Sequence, residues 1–242
     1  ESLKKLKKNC YAVIITSDKC YLNVEKNSGY KETDRLGGID PYSASKASAE
    51  LVVKSEINSF FENKGKVRIV TARAGNVIGG GDWAKNRIIP DYIKSIQSNK
   101  ILKIRNPNAT RPWQHVLEPL YGYLTLSLLL KAKRNLHGSS FNFGPNQYSN
   151  KKVIDVINEM KKNSIYGKYS ILKISKSKKL ESKLLQLNCS KAKKFLNWST
   201  KLNFYKTIKL TADWYGSYLQ NTGKNKVKTF DQISDFMNLI KK

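Results

Sequence analysis

Five polar side chains in two short motifs are of types that can move protons. Ser17, Asp18 and Lys19 offer a hydroxyl, a carboxylate and an amine in succession. Further along, Tyr42 and Lys46 are spaced four residues apart, which places them on one face of a helix, one turn from each other. Tyrosine is normally a poor base, with a reference pKa of about 10, but a neighbouring ammonium favours the phenolate form. The pair therefore indicates general-base chemistry.

Each motif taken alone also has an ordinary structural interpretation. Serine and aspartate favour turns, so residues 16–19 are compatible with a capped turn. A packed tyrosine beside a solvated lysine is likewise common, and this spacing occurs often by chance. The combination is more specific, because the first motif ends an apolar, strand-like run and the second follows it along the chain.

A third region combines glycines, arginines and tryptophans. Its parts are residues 73–83 (RAGNVIGGGDW), 87–90 (RIIP) and 105–115 (RNPNATRPWQH). A glycine-rich turn lets the backbone approach a ligand closely, arginines can bind a diphosphate through two parallel hydrogen bonds, and tryptophan can pack on a sugar or a base. The alternatives stay open: residues 79–81 could be a flexible loop, and Trp83 and Trp113 could be core residues.

Two strands and a helix are predicted to hold these motifs. Residues 11–15 form a continuous apolar run, as expected of a parallel strand that is buried on both faces, and residues 67–72 are a second candidate. Between them Pro41 stands where a helix would start, and residues 42–61 have the apolar spacing of a long helix. This order predicts a βαβ unit. Ligands bind beyond the carboxyl ends of such strands, where residues 16–19 follow.

The rest of the chain is predicted to alternate shorter elements in a smaller α/β lobe at the sheet edge. We expect strands at residues 101–104, 141–143 and 170–174, and helices at residues 88–98, 118–130, 152–162, 190–196, 204–219 and 230–240. Residues 1–8 also have helical periodicity.

Composition limits the function classes. The net charge of +27 over 242 residues suits an anionic partner, but it comes from scattered lysines without a nucleic-acid-binding motif, so nucleic acid is disfavoured. No apolar run approaches the roughly 20 residues that span a bilayer, and no membrane partner is expected. The three cysteines form no metal or disulfide pattern, which favours a cytoplasmic location. Two histidines leave no credible metal site.

The order of these motifs resembles the extended short-chain dehydrogenase/reductase superfamily of sugar-nucleotide enzymes. The segments TSDKCY, DPYSASK, RAGNVIGGGDWA, RIIPD and RPWQHVLEP are similar to those of CDP-glucose 4,6-dehydratases, and the resemblance weakens after residue 148. The implied fold class is α/β, a partial Rossmann-type parallel sheet with helices on both faces plus a smaller C-terminal α/β substrate lobe. Residues 1–80 would be the C-terminal half of the NAD-binding domain and residues 81–242 the substrate-binding lobe, with interleaved elements.

The resemblance implies an NAD-dependent, redox-neutral loss of water from CDP-glucose that yields CDP-4-keto-6-deoxyglucose. Tyr42 would take the proton of the 4-hydroxyl as hydride leaves C4, with help from Ser17, and Lys46 would hold the cofactor ribose. Asp18 would protonate the departing C6 oxygen. Lys19 would be either the base at C5, where related dTDP-glucose enzymes place a glutamate, or a charge that steadies the enolate.

Further contacts are implied at the matching positions. Thr16 and Arg73 would join Tyr42 and Lys46 in binding the cofactor. The implied substrate contacts are Asn76, Arg87, Arg111 and Asn142, with Arg111 on the diphosphate. His115 could contact the substrate or be a hydrogen-bonded structural residue. The resemblance also implies a homo-oligomer.

One family feature is missing ahead of the strand at residues 11–15. Family members begin with a strand and a G-x-x-G-x-x-G turn, which places the NAD pyrophosphate on a helix N-terminus, and nothing before Tyr11 can do this. We therefore expect an N-terminally truncated fragment with an exposed apolar sheet edge and weak or no NAD binding on its own. The open alternatives are another epimerase or dehydratase of the superfamily, an inactive remnant that binds CDP-sugars, and a basic interaction protein.

Overall fold

The computed structural model describes residues 1–61, 65–145, 150–172, 184–221 and 223–241. The chain divides into two compact units, each assembled from three stretches. Unit 1 comprises Glu1–Gly75, Glu118–Gly144 and Leu185–Ser199, and unit 2 comprises Asn76–Leu117, Pro145–Leu184 and Thr200–Lys242. The assignment of residues 1–80 and 81–242 to two functional domains stays a prediction.

The described elements follow the predicted order. The strands are β1 (Cys10–Ile15), β2 (Val67–Ala74), β3 (Val77–Ile78), β4 (Leu102–Ile104), β5 (Thr110–Pro112), β6 (Gln114–His115), β7 (Ser140–Phe143), β8 (Asn150–Lys152) and β9 (Tyr169–Ile171). The helices are α1 (Pro41–Phe60), α2 (Ile88–Gln97), α3 (Leu117–Ala132), α4 (Val153–Lys162), α5 (Ser190–Leu196), α6 (Phe204–Leu219) and α7 (Asn225–Lys241). The strand predicted at residues 170–174 is β9, and residues 173 and 174 lie outside the described ranges.

Unit 1 is built on a parallel sheet with the strand order β1-β2-β7. Cys10 pairs with Val67 and Ile15 with Ala72, while Ala72 also pairs with Phe141 on the other side. The central strand β2 is buried along its whole length, because parallel strands are covered on both faces. The predicted strand–helix–strand unit is therefore confirmed.

Helices cover both faces of this sheet. Alternate side chains of β2 point to opposite faces: Val70 and Ala72 pack with residues of α3 and α5, including Leu126 and Leu196. Val67 and Ile69 pack on the other face with residues of α1, including Ile57. A helix layer on each side is the arrangement that a parallel sheet requires.

Unit 2 has short strand pairs around its own apolar core. The pairs β3–β6 and β4–β9 are parallel, and β5–β8 is antiparallel. The core joins α2, α4 and α6 through fully buried side chains such as Tyr92, Ile93, Ile157 and Ile208. The sequence does not predict β3, β5, β6 and β8, because none of them has the apolar alternation of β4 and β9 or a longer apolar run.

The N-terminal residues differ from the prediction. Instead of a helix over residues 1–8, Ser2–Lys5 form a single 3-10 turn. Leu3 packs against the core, whereas Leu6 is 43% exposed. A short helix gains its stability mainly from packing an apolar face, and here only one of the two leucines finds a surface.

Candidate active site

The first predicted motif lies directly beyond the carboxyl end of β1. The backbone N–H of Thr16 still pairs with β2, at 2.8 Å, and the chain then turns. Ser17 is the extended N-cap of a 3-10 turn, and its Oγ accepts a hydrogen bond from Lys19 N at 3.3 Å. The same hydroxyl donates to Asp18 Oδ1 at 3.0 Å, and Asp18 is buried. The hydroxyl and the carboxylate are thus in direct contact.

Tyr42 and Lys46 lie on the first two turns of α1, whose start is fixed by Asp40. One Asp40 oxygen accepts from the backbone N–H groups of Tyr42 and Ser43, both at 3.0 Å, and the other accepts from Ser43 Oγ at 2.6 Å. Pro41 occupies the first helical turn, where its missing N–H costs nothing. The Ser43 hydrogen bonds hold the pKa of Asp40 below its usual range, and the charge of Lys19 adds to this.

The two motifs meet at one end of the unit 1 sheet. The helix α1 packs against the Asp18–Cys20 turn. Lys46 Nζ lies 5.7 Å from the ring centroid of Tyr42, within the range of a cation–π contact. Tyr42 is 55% exposed, so more than half of the residue is accessible.

Three further predicted contacts lie in the interior of unit 1. Thr16 Oγ1 donates to Glu50 of α1 at 2.5 Å, and Arg73 forms an ion pair with the same carboxylate. Asn142 is fully buried, and its Oδ1 accepts from Tyr21 OH at 2.7 Å. As ligand contacts, Thr16, Arg73 and Asn142 stay predictions. Their hydroxyl, guanidinium and amide belong to a buried polar network.

Sequence reasoning missed this network and its central residue, Glu50. A signal was present, because Glu50 follows Lys46 by four positions as Lys46 follows Tyr42. All three therefore share one face of α1.

The remaining predicted substrate contacts, Asn76, Arg87 and Arg111, lie in unit 2. Asn76 precedes β3, and its carbonyl accepts a hydrogen bond from β6 at 3.1 Å. Arg87 is exposed before α2 and pairs with Asp82 at 3.1 Å. Arg111 is half-buried on β5, and its Nη1 donates to the carbonyl of Thr110 at 2.7 Å. These contacts also stay predictions.

The glycine-rich tract packs inside unit 2. The indole of Trp214 lies against the backbone of Gly80, and Gly81 adopts a φ of +83°, a conformation that favours glycine. Trp113 is 4% exposed and belongs to the core. Trp83 is partly buried, with its ring edge-on to Tyr215 at 5.6 Å between centroids. Ring packing therefore explains Gly80, and core packing explains Trp113.

Both histidines have structural surroundings. His115 is 1% exposed in unit 2, and burial lowers its pKa to about 4, so it is neutral at pH 7. In unit 1, His137 Nδ1 accepts from Ile69 N at 2.9 Å. Within the described residues, no group of three or more histidine, cysteine, aspartate and glutamate side chains could hold a metal ion. Nor does any helix in the described ranges have the length and apolar character to span a membrane.

Solved sugar-nucleotide enzymes share this fold. A dTDP-glucose 4,6-dehydratase from Bacillus anthracis, in complex with NAD, has a TM-score of 0.67 at 20% identity, covering 85% of this chain and 61% of its own. A UDP-glucuronic acid 4-epimerase from Bacillus cereus, in complex with UDP-glucuronic acid and NAD, has a TM-score of 0.73 at 21% identity, covering 90% and 64%. The predicted α/β, Rossmann-type fold class is confirmed.

The sequence defines the family more narrowly. The chain belongs to the family whose model is described as GDP-mannose 4,6 dehydratase, which matches residues 1–211. The CDP-glucose 4,6-dehydratase of Salmonella typhimurium is 40% identical over 236 residues, covering 95% of this chain and 65% of that protein. The resemblance inferred from the motifs is confirmed, and the chain spans just under two thirds of that relative.

Proposed function

We propose that this chain carries the catalytic residues of an NAD-dependent nucleotide-sugar 4,6-dehydratase that acts on CDP-glucose. The main observation is that the turn after β1, with Ser17, Asp18 and Lys19, packs against the helix that presents Tyr42 and Lys46. This gathers a base, an acid and two cations at the end of the sheet where ligands bind. The 40% identity to a CDP-glucose 4,6-dehydratase favours CDP-glucose over other nucleotide sugars.

The donor set at the start of α1 fits the ribose of NAD. Lys46 offers three donors, and its Nζ lies 5.7 Å from the ring centroid of the exposed Tyr42, so the pair can bind a diol. The chemistry that NAD would supply there is the transfer of hydride from C4 of the sugar to C6. Residues Ser2–Lys5 form a 3-10 turn, not a glycine-rich turn that could bind the pyrophosphate. The part of NAD that Tyr42 and Lys46 could bind is therefore the ribose next to the nicotinamide.

The first half of the reaction is oxidation at C4. Tyr42, as phenolate, takes the proton of the 4-hydroxyl, and Ser17 Oγ donates a hydrogen bond to the same oxygen. The resulting 4-ketone acidifies the hydrogen at C5.

The second half is loss of water across C5 and C6, followed by reduction. Asp18 donates a proton to the C6 oxygen, which leaves as water while the C5 proton is removed. Lys19 either takes that proton, which requires a neutral amine, or steadies the enolate as a cation. With hydride supplied to C6 by the bound cofactor and a proton returned to C5, the net change would be the loss of one water.

The remaining candidates are the substrate contacts that the family resemblance implies. Arg111 is our candidate for the diphosphate, because guanidinium groups bind phosphate oxygens in pairs, and Arg87 and Asn76 are candidates for further substrate contacts. We also infer a homo-oligomer, which the exposed apolar side chains Leu51 and Val52 of α1 support. A cytoplasmic location accords with the free thiols at Cys10, Cys20 and Cys189.

An epimerase on the same fold is the second candidate, since one of the solved neighbours is a 4-epimerase. Epimerisation needs the tyrosine–lysine pair but no acid for a leaving C6 hydroxyl. Asp18 is buried and accepts a hydrogen bond from Ser17 beside that pair, which favours the dehydratase.

The test is turnover of CDP-glucose at a high NAD concentration, to offset the weak cofactor binding expected of the chain alone, followed by NMR of the sugar. We expect a 4-keto-6-deoxy product, abolished by Tyr42→Phe and reduced more than a hundredfold by Asp18→Asn. An accumulating C4 epimer would identify an epimerase instead. Calorimetric binding of CDP without turnover would indicate a remnant, and DNA retention that falls steeply with salt would favour an interaction protein.

A further inference from the structure

A buried carboxylate lies on the same helix as the proposed catalytic pair. Glu50 is 3% exposed and accepts four hydrogen bonds. Its Oε1 accepts from Thr16 Oγ1 at 2.5 Å and from Arg73 Nε at 2.9 Å. Its Oε2 accepts from Arg73 Nη2 and from Thr71 Oγ1, both at 2.8 Å. The carboxylate therefore joins α1 to the end of β1 and to β2.

The network continues through Arg73 towards β7. Arg73 Nη1 donates to Tyr21 OH at 2.8 Å, and that hydroxyl donates to Asn142 Oδ1 at 2.7 Å. Arg73 Nη2 also donates to Ser140 Oγ at 3.1 Å. All three strands of the unit 1 sheet and the segment after the Asp18–Cys20 turn are thus connected through one ion pair.

Glu50 stays ionised in this setting. Burial opposes its charge, but the hydrogen bonds and the charge of Arg73 outweigh burial and lower the carboxyl pKa. A buried ion pair is weak evidence for stability, because well-packed apolar residues of the same volume often serve equally well. The directional hydrogen bonds of this pair do, however, fix the relative positions of the groups that they join more precisely than apolar packing would.

Two of the proposed catalytic residues are connected to this carboxylate through Thr16 and through α1. Thr16 directly precedes Ser17, and Glu50 follows Tyr42 by two helical turns on the same face. We propose that Glu50 is a positioning residue, which holds Ser17 and Tyr42 in register through its hydrogen bond to Thr16. This inference rests on the proposed function. In it, Thr16 positions the catalytic turn through its hydrogen bond to Glu50.

The chain offers a matched pair of substitutions. Thr16→Val and Thr71→Val each remove one hydroxyl donor to Glu50 without a large change in volume. Only the first breaks the link to the catalytic turn, because Thr71 lies within β2. We expect similar losses in melting temperature, but kcat about tenfold or more lower for Thr16→Val at nearly unchanged KM, and within about twofold for Thr71→Val. Equal losses of kcat would show a merely structural network.

A double-mutant cycle separates positioning from direct cofactor contact. If Thr16 acts through Glu50, the variant with both Thr16→Val and Glu50→Gln loses no more kcat than Glu50→Gln alone. If Thr16 touches the cofactor itself, the two losses multiply and the proposal fails. Should Glu50→Gln not fold, the comparison of the two threonine variants still decides the matter.

Amide exchange tests the same link without turnover. The N–H groups of Cys20 and Tyr21 close the catalytic turn onto Ser17 and Asp18. In the chain alone, Thr16→Val should speed their exchange about tenfold, whereas Thr71→Val should leave it unchanged. Unchanged exchange in Thr16→Val would overturn the positioning role. Absent turnover with altered exchange would count against the proposed function only.

Discussion

The indole of Trp214 lies so close to Gly80 that a Cβ built on the glycine would be 2.0 Å from Cγ of the ring. Both residues are in unit 2, and helix α6 carries the tryptophan. The glycine is therefore required for ring packing, and any side chain there would displace the indole.

Gly80→Ala should destabilise the protein by about 1–3 kcal/mol, the usual cost of overpacking a filled site. Gly216→Ala is the matched control, because it lies within α6 and its Cβ would meet only Ile165 Cδ1, at 3.6 Å. That change should stabilise by up to about 1 kcal/mol, since alanine is the better helix former. Urea unfolding measures both, and a neutral Gly80→Ala would contradict the packing role.

His115 should make stability depend on pH in a defined window. Burial lowers its pKa to about 4, against about 6.5 in an unfolded chain. Between these values the unfolded chain binds a proton that the folded chain does not. The contribution is therefore complete above pH 6.5 and is lost as pH falls towards 4, by roughly 3 kcal/mol.

In His115→Gln the urea midpoint should no longer rise between pH 5 and pH 7. The substitution should also destabilise the protein by a constant amount that does not depend on pH. His137→Gln is the control and should keep the slope, because His115 is intact. If the urea midpoint of His115→Gln still changed with pH in this range, the pH dependence would belong to another group.

The β1 edge should drive self-association of the isolated chain. In the described sheet β1 pairs with β2 on one side, and Ile15 is 53% exposed at its end. An open apolar edge can pair with another chain. Ile15→Lys should lower the weight-average mass in sedimentation at micromolar protein without changing the melting temperature by more than a few degrees. Equal masses for both proteins would contradict this.

Lys19→Met distinguishes two chemical roles. If Lys19 is the C5 base, solvent deuterium at C5 of the product should fall at least a hundredfold together with turnover. Undiminished deuterium uptake at C5 would rule out the base role and leave Lys19 as a charge that steadies the enolate. NMR of the product made in D₂O measures both quantities.

The sequence predicted what depends on local pattern and order. The apolar run at residues 11–15, Pro41 ahead of a long helix and the spacing of Tyr42 and Lys46 each have a short-range cause, and the structure contains β1 and α1 where expected. Spacing along α1 could also have indicated Glu50. Its partner Arg73 could not be identified, because that pair depends on how β2 packs beneath the helix.

The glycine-rich tract was ambiguous, because its pattern fitted two different structures. Residues 79–81 fitted a ligand-binding turn as well as a packing site, since both need the absence of a side chain. Only the position of Trp214, which is far along the chain, shows that Gly80 is a packing site. Short strands such as β5 and β8 were missed because they exist only through their pairing.

The assembly of unit 1 from three separate stretches has a consequence for synthesis. The strand β7 pairs with β2, and Trp198 donates its indole N–H to the carbonyl of Glu118, so the unit closes only once Ser199 has been made. At about 5–20 residues per second, translation from Gly75 to Ser199 lasts on the order of 10 s. Throughout that interval Val70 and Ala72 lack their final cover, so a nascent chain on the ribosome is a natural client for chaperones that hold apolar segments.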